Sequence, residues 1–299
     1  MDAQQTRQGV FYALGAYFIW GVAPAYFKLI DQVAPGEIMT HRVIWSFFFM
    51  LLLVSLTRNW QNVKLTLKQP KRVLLLALSA TVICGNWLLF IWSVNNHHLL
   101  EASLGYFINP LLNVLVGMLF LGERFRRMQW LAVGLAACGV LIQLWKFGSV
   151  PVIALGLAVS FSFYGLLRKK ISVDAQTGML VETSWLLPVA AIYLFGVADS
   201  PTSHLTQNPL SLNLLLVAAG VVTTVPLMLF TAACTRLRLS TVGFFQYLGP
   251  TLMFLLAVVF YGEALTPDKM VTFSFIWAAL AIFIFDALMT LKRGRPSGV

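Results

Sequence analysis

Residues 110–123 read PLLNVLVGMLFLGE, and residues 250–263 read PTLMFLLAVVFYGE. In both, Gly-Glu follows the proline by twelve residues, and Pro250 lies 140 residues beyond Pro110. Each copy is approached by glycine and aromatic residues: Leu104-Gly105-Tyr106-Phe107 in the first, Val242-Gly243-Phe244-Phe245 in the second. Both copies are long apolar runs, so the duplication falls in sequence that reads as membrane-spanning. Two copies of one unit inside a bilayer are the raw material of a two-fold transporter.

The rest of the chain agrees with a membrane reading. Of 299 residues, 59% are hydrophobic and only 11% charged, whereas a soluble domain carries about 25% charged residues. The polar breaks are mostly too short to form a soluble module, so a polytopic membrane protein is expected. A net charge of +10 would suggest nucleic acid for a soluble chain. In a membrane chain the same charge sets topology, and no nucleic-acid partner is expected. Cys84, Cys138 and Cys234 lie in or beside apolar runs with no metal-cluster spacing and read as packing residues. The first hydrophobic segment is long enough to span and lacks a small-x-small cleavage site, so it reads as a span rather than a cleaved leader.

Ten spans are predicted, near residues 9–29, 39–57, 72–94, 101–121, 128–145, 151–168, 178–197, 212–233, 241–261 and 270–291. Each approximates the 17–25 residues that cross about 30 Å of hydrocarbon. The least secure break is 146–151, which requires a tight hairpin. One set of span ends collects seventeen basic residues: Arg7, Arg58, Lys64, Lys68, Lys71, Arg72, Arg124, Arg126, Arg127, Arg168, Lys169, Lys170, Arg236, Arg238, Lys292, Arg293 and Arg295. The other set holds only Lys146 and Lys269, with Lys28 and Arg42 near span ends. Both termini are therefore expected on the cytoplasmic side. Five spans per half is an odd number, so the second copy runs upside down relative to the first. The expected fold is an all-α polytopic membrane protein of ten helices in two inverted five-helix repeats, residues 1–147 and 148–299.

Residues that interrupt the apolar pattern locate a site. Pro24, Pro110, Pro226 and Pro250 leave carbonyls without donors and are candidate hinges. Tyr17 and Trp20 in span one, Asn86 and Trp87 in span three, and Tyr106, Asn109 and Asn113 in span four suit an aromatic, amide-lined pocket for a small organic solute. Tyr164, Gln246 and Tyr247 join them from the second half. The bland reading of the same groups is interhelical hydrogen bonding, each contact contributing about 0.6 kcal/mol. Arg42 has three readings: an ion pair with Glu37 or Glu101, contact with a substrate carboxylate, or snorkelling to the interface. Glu101 is the best-placed protonatable coupling group, although it sits near a membrane edge; Glu182 and Asp286 read as interfacial or paired. His41, His97, His98 and His204 have no convergent ligand spacing, and no metal is expected.

No phosphate-binding loop, dinucleotide loop, zinc-protease helix or Gly-x-Ser-x-Gly elbow occurs, so neither an ATP-driven pump nor a bound cofactor is indicated. The competing class is an integral-membrane enzyme acting on a lipid or isoprenoid substrate. Against it stands the lack of a polar dyad at a common depth.

These residues resemble the drug/metabolite transporter superfamily in its ten-helix EamA-type branch. The resemblance spans essentially the whole chain and is carried by 7–9, 16–21, 40–42, 86–87, 95–96, 101–110 and 122–124. It implies a bacterial inner-membrane transporter with its cavity among helices one, three, four, six, eight and nine, and with helices five and ten to the side. It favours cavity roles for Trp20, Asn86, Tyr106, Asn109, Tyr164 and Gln246. Short members of the superfamily use a glutamate in their first helix; span one here has no carboxylate, so that coupling mechanism does not transfer. The implied partners are a small organic solute and membrane lipids. One copy of the chain suffices for a ten-span transporter, and a dimer is compatible with it.

Overall fold

The computed structural model describes residues 3–200, 202–203, 205–259 and 267–292. The end of the second motif copy, Phe260-Tyr261-Gly262-Glu263, lies outside the described residues, as do His204, Arg293 and Arg295. The described elements are all helices: α1 (Ala3–Phe27), a 3-10 turn (Lys28–Ile30), α2 (Pro35–Leu56), α3 (Trp60–Leu67), α4 (Pro70–Asn95), α5 (Leu99–Leu121) and α6 (Arg127–Phe147). The second half continues with α7 (Val152–Ile171), α8 (Ala175–Gly196), α9 (Leu210–Arg236), α10 (Leu239–Gln246), α11 (Leu248–Val259) and α12 (Pro267–Lys292). Ten segments are long and apolar enough to cross a membrane, α10 and α11 together making the ninth. Large apolar side chains such as Phe11, Leu74, Trp145 and Phe195 are exposed on the bundle's outside, where hydrocarbon would cover them.

Helix ends follow local rules. Pro35 opens α2, where its missing N–H costs nothing. Asp174 caps α8, its Oδ1 accepting from Thr177 N at 3.0 Å. Gly122 and Gly148 close α5 and α6 at φ 65° and 76°, a left-handed cap that glycine adopts without a Cβ clash. The tight hairpin expected at 146–151 is thus made by the Gly148 cap and Pro151 at the entry of α7. The short helix α3 is an addition: the run between spans two and three reads as a polar loop, but Val63 and Thr66 are buried while Trp60, Leu65 and Leu67 are exposed.

Packing runs mainly between the halves. The helix α1 lies chiefly on α9 and α11, α2 on α8 and α9, α4 on α7 and α8, and α5 on α7 and α10. Moving every span five places along exchanges these pairs: α1 with α9 becomes α7 with α4, and α5 with α7 becomes the ninth span with α1. The pairs α2–α8, α5–α10 and α6–α12 map onto themselves. This exchange is the packing signature of two inverted five-helix repeats. The fifth and tenth spans pack mostly on each other at the flank, with Gln143 Nε2 donating to Thr272 Oγ1 at 2.8 Å.

The matched prolines behave differently. Pro110 sits inside the continuous helix α5. Pro250 is the third residue of α11, and its missing N–H falls opposite the carbonyl of Gln246, where α10 stops. Tyr247 forms the break between them. Pro24 and Pro226 lie inside the continuous helices α1 and α9, as does Pro188 inside α8.

Candidate functional site

Where α2, α4, α7, α8 and α9 converge, both halves of the chain line one narrow cavity of about 10 Å³, close to the minimum for one water. Trp87 and Ile83 of α4 form one wall, Glu182 and Thr183 of α8 another, and Tyr164, Ser46 and Thr223 complete it. Of the residues that the sequence nominates for binding, Trp87 and Tyr164 line this cavity. A volume of this size has no room for an organic solute.

One wall residue of the cavity is a carboxylate. Glu182 is buried and accepts hydrogen bonds from Ser79 Oγ, from Tyr164 OH at 3.3 Å and from Arg168 Nη1 at 3.4 Å. Arg168 is itself 1% exposed. Its guanidinium occupies the space beside Gly178, whose β-carbon, if present, would fall 2.6 Å from Arg168 Cζ. The sequence places Arg168 among the boundary cations and reads Glu182 as interfacial or paired; the structure makes them one buried pair. Beside the cavity stands a cation that touches two of its wall residues: Arg42 Nε donates to Thr223 Oγ1 at 2.8 Å, and its Cζ stands 4.7 Å from the centre of the Trp87 ring.

Tyr17 and Trp20 belong to an aromatic plug beside the cavity. The ring centres of Tyr17 and Trp20 are 5.6 Å apart, and Trp20 meets Phe161 at 5.8 Å and Phe230 at 5.9 Å. Tyr164 stacks on Phe230 at 6.1 Å. These rings join α1, α7 and α9, so they seal the crossing of the two halves. Below them, Tyr12, Met228 and Arg236 line an open depression toward the end that holds most basic residues.

The amides form struts between helices. Asn109 Nδ2 donates to Ala158 O at 2.7 Å and to Ser162 Oγ at 3.1 Å. Asn113 Nδ2 then donates to Asn109 Oδ1 at 3.1 Å and to Gln246 Oε1 at 3.2 Å. This ladder ties α5 to α7 and α10, and its three side chains are buried. Asn86 ties α4 to α7 through Leu157 O and Ser160 Oγ, both at 2.8 Å. Tyr247 OH donates to Phe107 O at 3.2 Å, an equivalent position in the other repeat. Tyr106 is 38% exposed and meets Phe90 edge-on at 6.5 Å. None of Asn86, Tyr106, Asn109, Asn113, Gln246 and Tyr247 lines this cavity.

Carboxylates stitch both bundle ends. Glu101 Oε1 accepts from Ile153 N at 2.8 Å and so caps α7 instead of meeting Arg42. Glu37 Oε2 accepts from Thr202 Oγ1 at 2.8 Å. At the basic end, Asp286 Oδ2 meets Arg126 Nη2 at 2.8 Å. The Glu123 of the repeated motif accepts from Leu239 N at 2.6 Å, from Ser240 N at 3.1 Å and from Ser240 Oγ at 2.5 Å. The motif's Gly-Glu therefore turns the chain out of span four and caps the start of span nine. Glu123→Ala is expected to cost about 1.5–3 kcal/mol, the range for hydrogen bonds to a charged group. A lowered thermal midpoint in detergent reads this out, and Glu123→Gln, which keeps an acceptor, should lose less.

Comparison with known proteins follows the same outline. A family model described as the EamA-like transporter family matches residues 7–145 and again 149–285. The chain is 75% identical over 293 residues to "Protein RarD" of Salmonella typhimurium, covering 98% of this chain and all of that one. It is 59% identical to an "Uncharacterized transporter" of Vibrio cholerae, covering 98% of this chain and 97% of the relative. A solved crystal structure at 18% identity superposes with a TM-score of 0.70 over 92% of this chain and 96% of its own, a likeness of fold. Ten apolar helices and these relatives describe a multi-pass bacterial membrane protein.

Proposed function

The chain belongs to the EamA-like transporter family, and from that membership we propose that it moves a small organic solute as a secondary transporter or facilitator, by alternating access. The observation that carries this reading is the narrow cavity at the crossing of α2, α4, α7, α8 and α9, whose walls come from both halves. A site between two inverted units can be exposed to either side when one unit rocks against the other. In this reading residues 1–147 and 148–299 are the two rocking units. The Glu123 cap of α10 closes the basic end, and the Glu101 cap of α7 with the Glu37–Thr202 bond closes the opposite end. Such polar ties can be made and broken in turn more readily than a dry apolar seam. The break at Tyr247 and the prolines at 24, 110, 226 and 250 supply the points of bending.

The basic end faces the cytoplasm in this proposal, with both termini there, because lysine and arginine accumulate on that side of the bacterial inner membrane. Reporter fusions at Gly148 and at the C-terminus test the topology; a cytoplasmic signal from Gly148 overturns it. Function is tested by solute flux into proteoliposomes under imposed pH and sodium gradients. Flux that responds to one gradient identifies coupled transport, and flux indifferent to both identifies facilitated diffusion. No flux of any solute, with turnover of a lipid in detergent, would replace the transporter by a membrane enzyme.

A further inference from the structure

Arg42 reaches into the bundle rather than out of it. Ser46 Oγ donates to Gly220 O at 3.2 Å, which sets α2 and α9 level at those residues. Both helices run from the sparsely basic end toward the basic end. Arg42 lies about one turn before Ser46, yet its Nε meets Thr223, nearly a turn beyond Gly220. The side chain therefore runs toward the middle, opposite to the direction of snorkelling.

Its surroundings are aromatic. Trp87 and Phe27 present ring centres 4.7 Å and 5.5 Å from the guanidinium carbon. Both acids that the sequence offers as partners are committed elsewhere: Glu37 to Thr202, and Glu101 to Ile153 and, at 3.7 Å, His98. Glu182, in the cavity wall, is held by Ser79, Tyr164 and Arg168. Among the described residues no carboxylate pairs with Arg42, and no acceptor other than Thr223 Oγ1 is hydrogen-bonded to it. Arg42 is partly buried, and its cation–π contacts offset only part of what partial removal of a guanidinium from water costs. An unpaired cation at this depth is an attractor for a negative ligand, and its planar fork matches a two-oxygen anion.

We propose that Arg42 is the anion receptor of the transport cavity, and that the solute carries a carboxylate or another oxyanion on an apolar or aromatic body. Thr223 orients the guanidinium through Nε, which leaves the paired Nη edge for the anion. Trp87, shared by the guanidinium and the cavity wall, receives the apolar body. The inference rests on the transporter reading and adds the charge of the cargo to it.

The test is a flux screen in proteoliposomes with matched sets of small organic solutes: for each aromatic or aliphatic skeleton, a carboxylate, a sulfonate, the neutral amide and the amine. Wild type, Arg42→Gln and Arg42→Lys are reconstituted in parallel, with detergent gel filtration confirming that each is folded. The expected result is flux confined to the anionic members, lowered roughly tenfold or more in Arg42→Gln and partly kept in Arg42→Lys. Flux of neutral or amine members that Arg42→Gln leaves unchanged overturns the anion receptor while transport stands. No flux of any member in wild type overturns the transporter reading and the receptor with it.

Discussion

Arg168→Ala is expected to destabilise the folded protein by about 3–5 kcal/mol, the range for removing one partner of a buried ion pair. The loss has two parts. Glu182 stays buried without its counter-ion and keeps only Ser79 and Tyr164 as donors. The space beside Gly178, which the guanidinium fills, becomes a void between α7 and α8. The pair is held by a single 3.4 Å contact, and Arg168 Nε is buried with no partner among the described residues. Its electrostatic return is therefore small against the desolvation of two ions. It follows that Arg168→Met with Glu182→Leu should be far less destabilised than either single change, and a double-mutant cycle on the half-life of the folded protein in detergent measures this. A double mutant as unstable as Arg168→Ala would show that the cluster stabilises the fold beyond mutual neutralisation.

That pair also shows how far the sequence carries the site. Arg168 lies three residues before the end of α7 and Glu182 seven residues past the start of α8, so they are not equidistant from the three-residue turn and hairpin spacing does not pair them. Arg168 reaches Glu182 because its long side chain fills the space beside Gly178. In the sequence it sits beside Lys169 and Lys170 and reads as one more boundary cation. The ten spans and the Lys146–Pro151 break were legible for the opposite reason: hydropathy and left-handed caps act within a few residues and need no partner. The helix α3 was missed because its apolar side is only Val63 and the stem of Thr66, too short a stripe to register as periodic.

The amides were legible as a set but not in direction. Asn109 and Asn113 are one turn apart, and their common face is plain from spacing. Whether that face looks into a cavity or onto α7 depends on how α5 crosses its neighbours. That crossing is set by Gly243, where a β-carbon would lie 2.7 Å from Asn113 Cβ and 3.0 Å from Pro110 O. The approach consumes the amides in helix-to-helix bonds. Arg42 illustrates the converse: its type and depth were legible, but the absence of an acidic partner emerges only once Glu37 and Glu101 are seen to be hydrogen-bonded elsewhere.

Gly220→Ala should be among the most damaging single-methyl changes in the chain. A β-carbon at 220 would lie 2.5 Å from Trp45 Cβ and 2.7 Å from Ser46 N, so it meets backbone that cannot swing aside. The helices α2 and α9 must then separate along one of the most extensive contacts of the bundle. Separation also breaks the Ser46–Gly220 hydrogen bond and lengthens the Arg42–Thr223 bond one turn away. Overpacking of this kind costs about 1–3 kcal/mol in a well-packed core, and backbone contact places this site at the upper end. Two glycines serve as controls, because a β-carbon at Gly85 or Gly134 meets nothing within 4 Å. There alanine should hold or raise stability, since glycine in a helix interior costs about 1 kcal/mol relative to alanine. Thermal inactivation of the three variants in one detergent separates a steric effect at Gly220 from a general intolerance of substituted glycines. A Gly220→Ala protein as durable as the Gly134→Ala protein would mean that α2 and α9 slide freely enough to admit the methyl. That would remove the rigid crossing on which the placement of Arg42 beside the cavity depends.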